Sequence, residues 1–207
     1  MNKRMTCDTI MIKDKITPEL KKKFKHIIKK TIDTGKEQGF LLCKDNNDNG
    51  SLYASRSSID GEGELNFAKI KSECPIKIQG DFHTHSYLPD IKSRLKEGFP
   101  KENIPEDAIR DITIQLYHRK NMSVTEPSHG DLLGVLILKS TNKIIGTTCS
   151  GSDAEPEIIE CWTAKENIDK KYYNRANIEI EDPRLIRNSP REWIRPLFNK
   201  ERIDLKR

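Results

Sequence analysis

Long apolar runs are missing from this chain. None approaches the roughly twenty residues that a membrane-spanning helix needs, so no helical membrane span is expected. Cysteine is sparse: five occur, at Cys7, Cys43, Cys74, Cys149 and Cys161. The number is odd, no Cys-x-x-Cys exists and no signal peptide precedes them, so reduced thiols in a cytoplasmic protein are expected. Several sit in apolar runs and read as small core residues. Aromatics make up only 6% and are not interleaved with basic residues. A nucleic-acid groove is therefore not expected, although the formal net charge is +5. The first lysine cluster, from Lys21 to Lys30, is better explained as a solvated helix face. There is no internal repeat and no low-complexity tract.

What is present is charge and a modest core, with 33% charged and 34% apolar residues in 207. That length suits one domain with decoration. We assign residues 1–165 to the domain, with an insertion at about 87–126, and residues 166–207 to a charged C-terminal extension. An alternating run within Asp8 to Lys15 predicts a first strand. Thr17-Pro18-Glu19 then reads as a helix start, with Leu20, Phe24, Ile27, Ile28 and Thr31 on one face and Gly35 as the stop. Glu37 to Cys43 reads as a strand, Asn46 to Gly50 as a turn, and Ser51 to Ser55 as the return strand of a hairpin. Ser58 to Glu64 reads as a loop. Ile76 to His83 alternates again and predicts a strand. Prolines 89, 100 and 105 mark the insertion, in which Glu106 to Arg119 is helical. Leu132 to Leu138 and Ile144 to Thr148 read as a hairpin, and Ile158 to Thr163 as a further strand. In the extension, Trp193, Ile194, Leu197 and Phe198 form a small apolar cluster. Such a cluster packs on its own domain more often than on a partner.

Chemistry concentrates at Gly80-Asp81-Phe82-His83-Thr84-His85 and Pro127-Ser128-His129-Gly130-Asp131. Two histidines one residue apart share a face of an extended strand. Imidazoles on an inward face call for a partner, and a divalent metal is a common one. Asp131 is a candidate third ligand. Two histidines and one carboxylate leave a position open on tetrahedral zinc, as in catalytic rather than structural sites; the same donors also suit iron. Plainer readings stand beside these. His83 and His85 could be surface histidines near a turn, and Glu37 a solvated residue after a helix. Ser128 could cap a short helix beginning near His129, with Asp131 as the acid of its first turn. His26 and His118 read as surface or structural residues.

In combination these pieces resemble the JAMM (MPN-plus, JAB domain) zinc metallopeptidases, and are similar to the small prokaryotic and archaeal members. The likeness rests on a strand, an amphipathic helix, Glu-x-Gly-x-Leu-Leu, His-x-His and Ser-x-x-Asp in that order, over roughly residues 5 to 163. It implies an α/β fold of cytidine-deaminase-like architecture, with a mixed, curved sheet flanked by helices and a helical insertion. It also implies one Zn2+ held by His83, His85 and Asp131, with Glu37 as general base and Ser128 stabilising the oxyanion. The implied substrate is a peptide or isopeptide bond after the C-terminal glycine of a ubiquitin-like modifier. Two departures stand out. Ser86 follows His85 where the family often has proline, and residues 86–127 separate His85 from Ser128 where the family has a short link. Loop-closure entropy grows slowly with length, so such an insertion is tolerable and could act beside the metal as a lid or substrate selector.

Three other readings compete. Asp81 to Ser86 alone resembles the opening motif of PHP-type phosphoesterases, but only His118 and His129 lie downstream, too few for a multinuclear site. A non-catalytic MPN-like scaffold would lack a ligand or the glutamate, and all five positions are present. A RadC-like, DNA-linked member would carry a helix-hairpin-helix region upstream, which this sequence lacks.

Overall fold

The computed structural model describes residues 11–44, 50–61, 65–74, 77–142, 144–182, 184–185 and 191–206. The first helix, α1 (Pro18–Thr34), forms where capping and periodicity coincide. The Thr17 side chain accepts the Leu20 N–H at 3.2 Å, and Gly35 ends the helix in the left-handed conformation at φ 67°. Its apolar face is fully buried.

Among the described residues seven strands form one mixed sheet: β1 (Glu37–Lys44), β2 (Leu52–Ala54), β3 (Ile59–Gly61), β4 (Lys77–His85), β5 (Thr147–Ser152), β6 (Ile158–Ala164) and β7 (Phe198–Asp204). The order is β2-β1-β4-β5-β6-β7, with β3 also paired to β1. Among the named strands of the described residues, β4 and β5 pair in parallel and the other pairs are antiparallel. Their crossover carries α2 (Leu88–Gly98), α3 (Glu106–His118) and α4 (His129–Thr141), while α5 (Lys170–Glu181) lies between β6 and β7. β4 and β5 approach closely at Gly80, where a Cβ would lie 1.6 Å from the Thr147 carbonyl oxygen. Glycine is therefore required there, and the register of β4 is fixed beside the histidines.

Strand alternation sorts side chains to the two faces. Phe40, Leu42 and Phe82 point toward α1, where the Phe24 ring lies 4.6 Å from Phe82. Leu41 and Cys43 point to the opposite face, into a smaller cluster with Ile59 and Ile70. Farther along that face, α4 and α5 pack over Trp162 and Ala164. A fully covered central strand explains why β1 reads as an almost unbroken apolar run.

Several expectations are corrected. Ile12–Lys15 is a 3-10 turn rather than strand, and residues 8–10 lie outside the described residues. The Asn46–Gly50 turn also lies outside them apart from Gly50, although β2 does return antiparallel to β1. The loop expected at Ser58 to Glu64 contains β3. The insertion carries two helices where one was expected. Leu132 to Leu138 is helix α4, not a hairpin strand. Its apolar residues are covered on several sides, so periodicity could not separate helix from strand. Beyond residue 165, α5 packs on α4 and β7 pairs along the length of β6, so a boundary at 165 would cut through the sheet. The apolar tail cluster packs on its own domain.

The cysteines also differ from expectation. Cys43 is joined to Cys74, and Cys149 to its cross-strand neighbour Cys161, as disulfides. Such bonds are rare in a reducing cytosol and common in oxidising compartments, so reduced thiols are not what this structure holds at those four positions. Among the described residues, no helix is long and apolar enough to cross a membrane.

Candidate metal centre

The candidate centre lies where β1 and β4 meet the start of α4. In β4 the side chains of Asp81, His83 and His85 share one face, and Thr84 between the histidines serves the other. Thr84 Oγ1 accepts the Gln38 N–H at 2.9 Å and lies 2.5 Å from Thr31 Oγ1. This buried link ties β1, β4 and α1 together directly behind the histidines. Gly39 opposes His83 in the ladder, and Glu37, two residues along, comes to the same face near His85. Its Oε1 lies 3.7 Å from His85 Nδ1.

Asp131 arrives from the other side of the long insertion. Both ends of that insertion are fastened to the end of β5. At its start, Asp153 accepts the backbone N–H of Tyr87 at 3.0 Å and of Leu88 at 3.1 Å, capping α2, whose own N-cap side chain makes no such bond. At its end, Ser150 Oγ donates to the Thr125 carbonyl at 2.6 Å, and buried Glu126 pairs with Arg195. The chain then enters α4 through a capping box. Asp131 N donates to Ser128 Oγ at 3.2 Å and Ser128 N to Asp131 Oδ2 at 2.6 Å. The plainer reading of Ser128 and Asp131 as helix-capping residues is thus realised, and it also aims the Asp131 carboxylate at His83, 3.2 Å from Nε2.

All five candidate residues, Glu37, His83, His85, Ser128 and Asp131, line one cavity of about 520 Å³, with Leu65 and Phe67 among its apolar walls. Asp81, within the same motif but outside the expected site residues, also lines the cavity. Its Oδ2 accepts His83 Nδ1 at 2.9 Å and the Thr148 hydroxyl at 3.2 Å. Its signal was available, because it lies two residues before His83 on the same strand face. His118, at the exposed end of α3, and His129, whose Nε2 bonds Glu179 at 2.8 Å, do not line the cavity.

The electrostatics favour positive charge between the two aspartates. Burial alone would push the His83 imidazolium down, but Asp131 and Asp81 outweigh it and hold His83 well above the ordinary histidine range. Burial pushes Asp131 up, yet His83 and the Ser128 bond leave it well below the usual carboxylate range. Asp81 is raised, since burial prevails over its bonds to His83 and Thr148.

Among the described residues, no group of three or more His, Cys, Asp or Glu side chains forms a ready-made metal cage. Instead the donors pair with one another, His83 with Asp131 and His85 with Glu37. Two observations still fit a divalent ion. The Nε2 of His85 is buried without a hydrogen-bond partner, an expensive condition for a polar atom, and the buried Nε2 of His83 faces only the Asp131 carboxylate at 3.2 Å. Asp81 on Nδ1 also supplies the carboxylate support that metal-binding histidines usually have, turning Nε2 toward Asp131 and the cavity.

No family model matches this chain, and no curated protein or solved structure matches it significantly. The family resemblance therefore rests on the motif residues themselves.

Proposed function

We propose that this chain is a zinc-dependent hydrolase of peptide or isopeptide bonds, of JAMM type and cytidine-deaminase-like architecture. Its substrate would be a conjugate or precursor of a ubiquitin-like modifier, cut after the modifier's C-terminal glycine. The observation that carries the reading is the pair of buried Nε2 atoms, that of His85 without a partner and that of His83 facing only the Asp131 carboxylate, in one cavity with Glu37. His83, His85 and Asp131 would hold the ion. When bound, zinc would polarise the scissile carbonyl and lower the pKa of a water to about 7.

The chain's own groups supply the rest. Glu37, in the cavity wall but outside the ligand set, would take the proton from the attacking water and deliver it to the leaving amine. Ser128 Oγ accepts the Asp131 N–H, which fixes the oxygen while its hydroxyl hydrogen can turn toward an oxyanion. Asp81 would hold the His83 ring with Nε2 toward the cavity. The half-open cavity and its apolar wall suit an extended chain segment lying across the centre.

A metal-loading experiment tests the reading. Protein stripped with chelator and reloaded should take up one zinc per chain. It should also cleave a fusion in which a Gly-Gly-terminated ubiquitin-like domain precedes a reporter, with chelator abolishing turnover and zinc restoring it. Failure to retain zinc, or equal turnover with and without it, would remove the basis for the proposal.

A further inference from the structure

We propose that the inserted segment braces the candidate centre through three rings packed in series, in which Tyr117 of α3 is a positioning residue acting on His85 through Tyr87. This rests on the metal-centre reading above. The two histidines are held differently. The His83 ring is oriented by its 2.9 Å bond to Asp81. His85 has no equivalent: its Nε2 is unpartnered, and its Nδ1 lies 3.7 Å from Glu37, too far for a hydrogen bond. A metal-binding imidazole needs its ring plane fixed, usually by a hydrogen bond at the second nitrogen.

Aromatic packing takes that place here. The Tyr87 ring stacks on His85 with centroids 5.5 Å apart and planes 19° from parallel. The Tyr117 ring lies 4.6 Å from Tyr87 at 41°. Aromatic pairs at these distances favour particular relative ring orientations. The base of Tyr87 is itself held, through its backbone N–H, by Asp153 at 3.0 Å. Tyr117 lies in the last turn of α3. Ile109 and Thr113 on α3 are buried, and Tyr117 follows at the same four-residue spacing on the same helix face. The detour between the two halves of the motif thereby contributes a side chain that supports the centre from behind His85.

The test compares Tyr117→Ala and Tyr117→Leu with Tyr117→Phe, and uses Leu116→Ala, an exposed change on the same helix, as the control. Two readouts are taken. One is the His85 imidazole resonances of the chelator-treated protein, which need no metal. The other is zinc affinity by chelator competition. Loss of the ring in the Ala and Leu variants is expected to shift and broaden the His85 resonances and to weaken zinc binding by about tenfold, the low end for losing an outer partner of a ligand. The Phe variant and the control should stay within about twofold of the parent. The Leu variant keeps bulk without a ring, so it decides the matter even where the Ala variant unfolds. Unchanged His85 resonances in the Leu variant would overturn the brace, as would a Phe variant as damaged as the Leu variant. A His85→Ala protein that binds zinc as tightly as the parent would instead reject the metal-centre reading, and the resonance experiment would still decide the brace.

Discussion

Glu37→Gln is expected to keep its zinc and to lose hydrolysis by about 10²–10⁴-fold, the range for removing a general acid–base residue. Glutamine matches glutamate in shape, so the cavity wall beside His85 is preserved. What disappears is the ability to accept a proton. Glu37 sits at the first position of β1, where the ladder carries it to the face of His83 and His85. Its 3.7 Å separation from His85 Nδ1 places it beside that ring rather than on the nitrogen left for a metal. Zinc content by elemental analysis and turnover of the fusion substrate, measured on the same preparation, check the two halves. Retained turnover rejects Glu37 as the base. Loss of zinc would make it a ligand.

Asp131→Asn is expected to have the second large effect, and to separate two roles that one side chain combines. Asparagine can still accept the Ser128 N–H, so the capping box and α4 should survive. Asp131→Ala should cost in addition about 0.5–1.5 kcal/mol, the usual net worth of a hydrogen bond, because the Ser128 N–H then loses its acceptor. The negative charge facing His83 is lost in both. Zinc affinity should fall in both by more than the roughly 100-fold that losing a mere supporting partner can cost. Chelator competition beside a thermal melt reads affinity and stability separately. An Asn variant with parental affinity would mean that Asp131 only caps the helix.

Much of this site could be read from the sequence because its logic is local. His-x-His needs only the two-residue period of a strand, and Ser-x-x-Asp only the geometry of a helix start. α1 was legible for the same reason, with Thr17, Pro18 and Gly35 marking its ends. Other features depend on partners distant in sequence. The inward position of β7 that carries Glu201 breaks the apolar alternation. That carboxylate accepts the Ile12 N–H at 2.5 Å and the Lys13 N–H at 3.2 Å, in a 3-10 turn at the other end of the chain. β3 spans only Ile59–Gly61 and owes its place to pairing with β1. Within the site, Asp153, Tyr87 and Tyr117 carried no motif, since their roles exist only once the insertion has folded back on β5. Cys149 and Cys161 likewise become a pair only through the β5–β6 register.

The most direct test locates the ion. A crystal of zinc-loaded protein, measured on both sides of the zinc absorption edge, should show one anomalous peak about 2.0–2.2 Å from the Nε2 atoms of His83 and His85 and from a carboxylate oxygen of Asp131. A loaded crystal with no peak among these three side chains, or with its zinc bound elsewhere, would contradict the account.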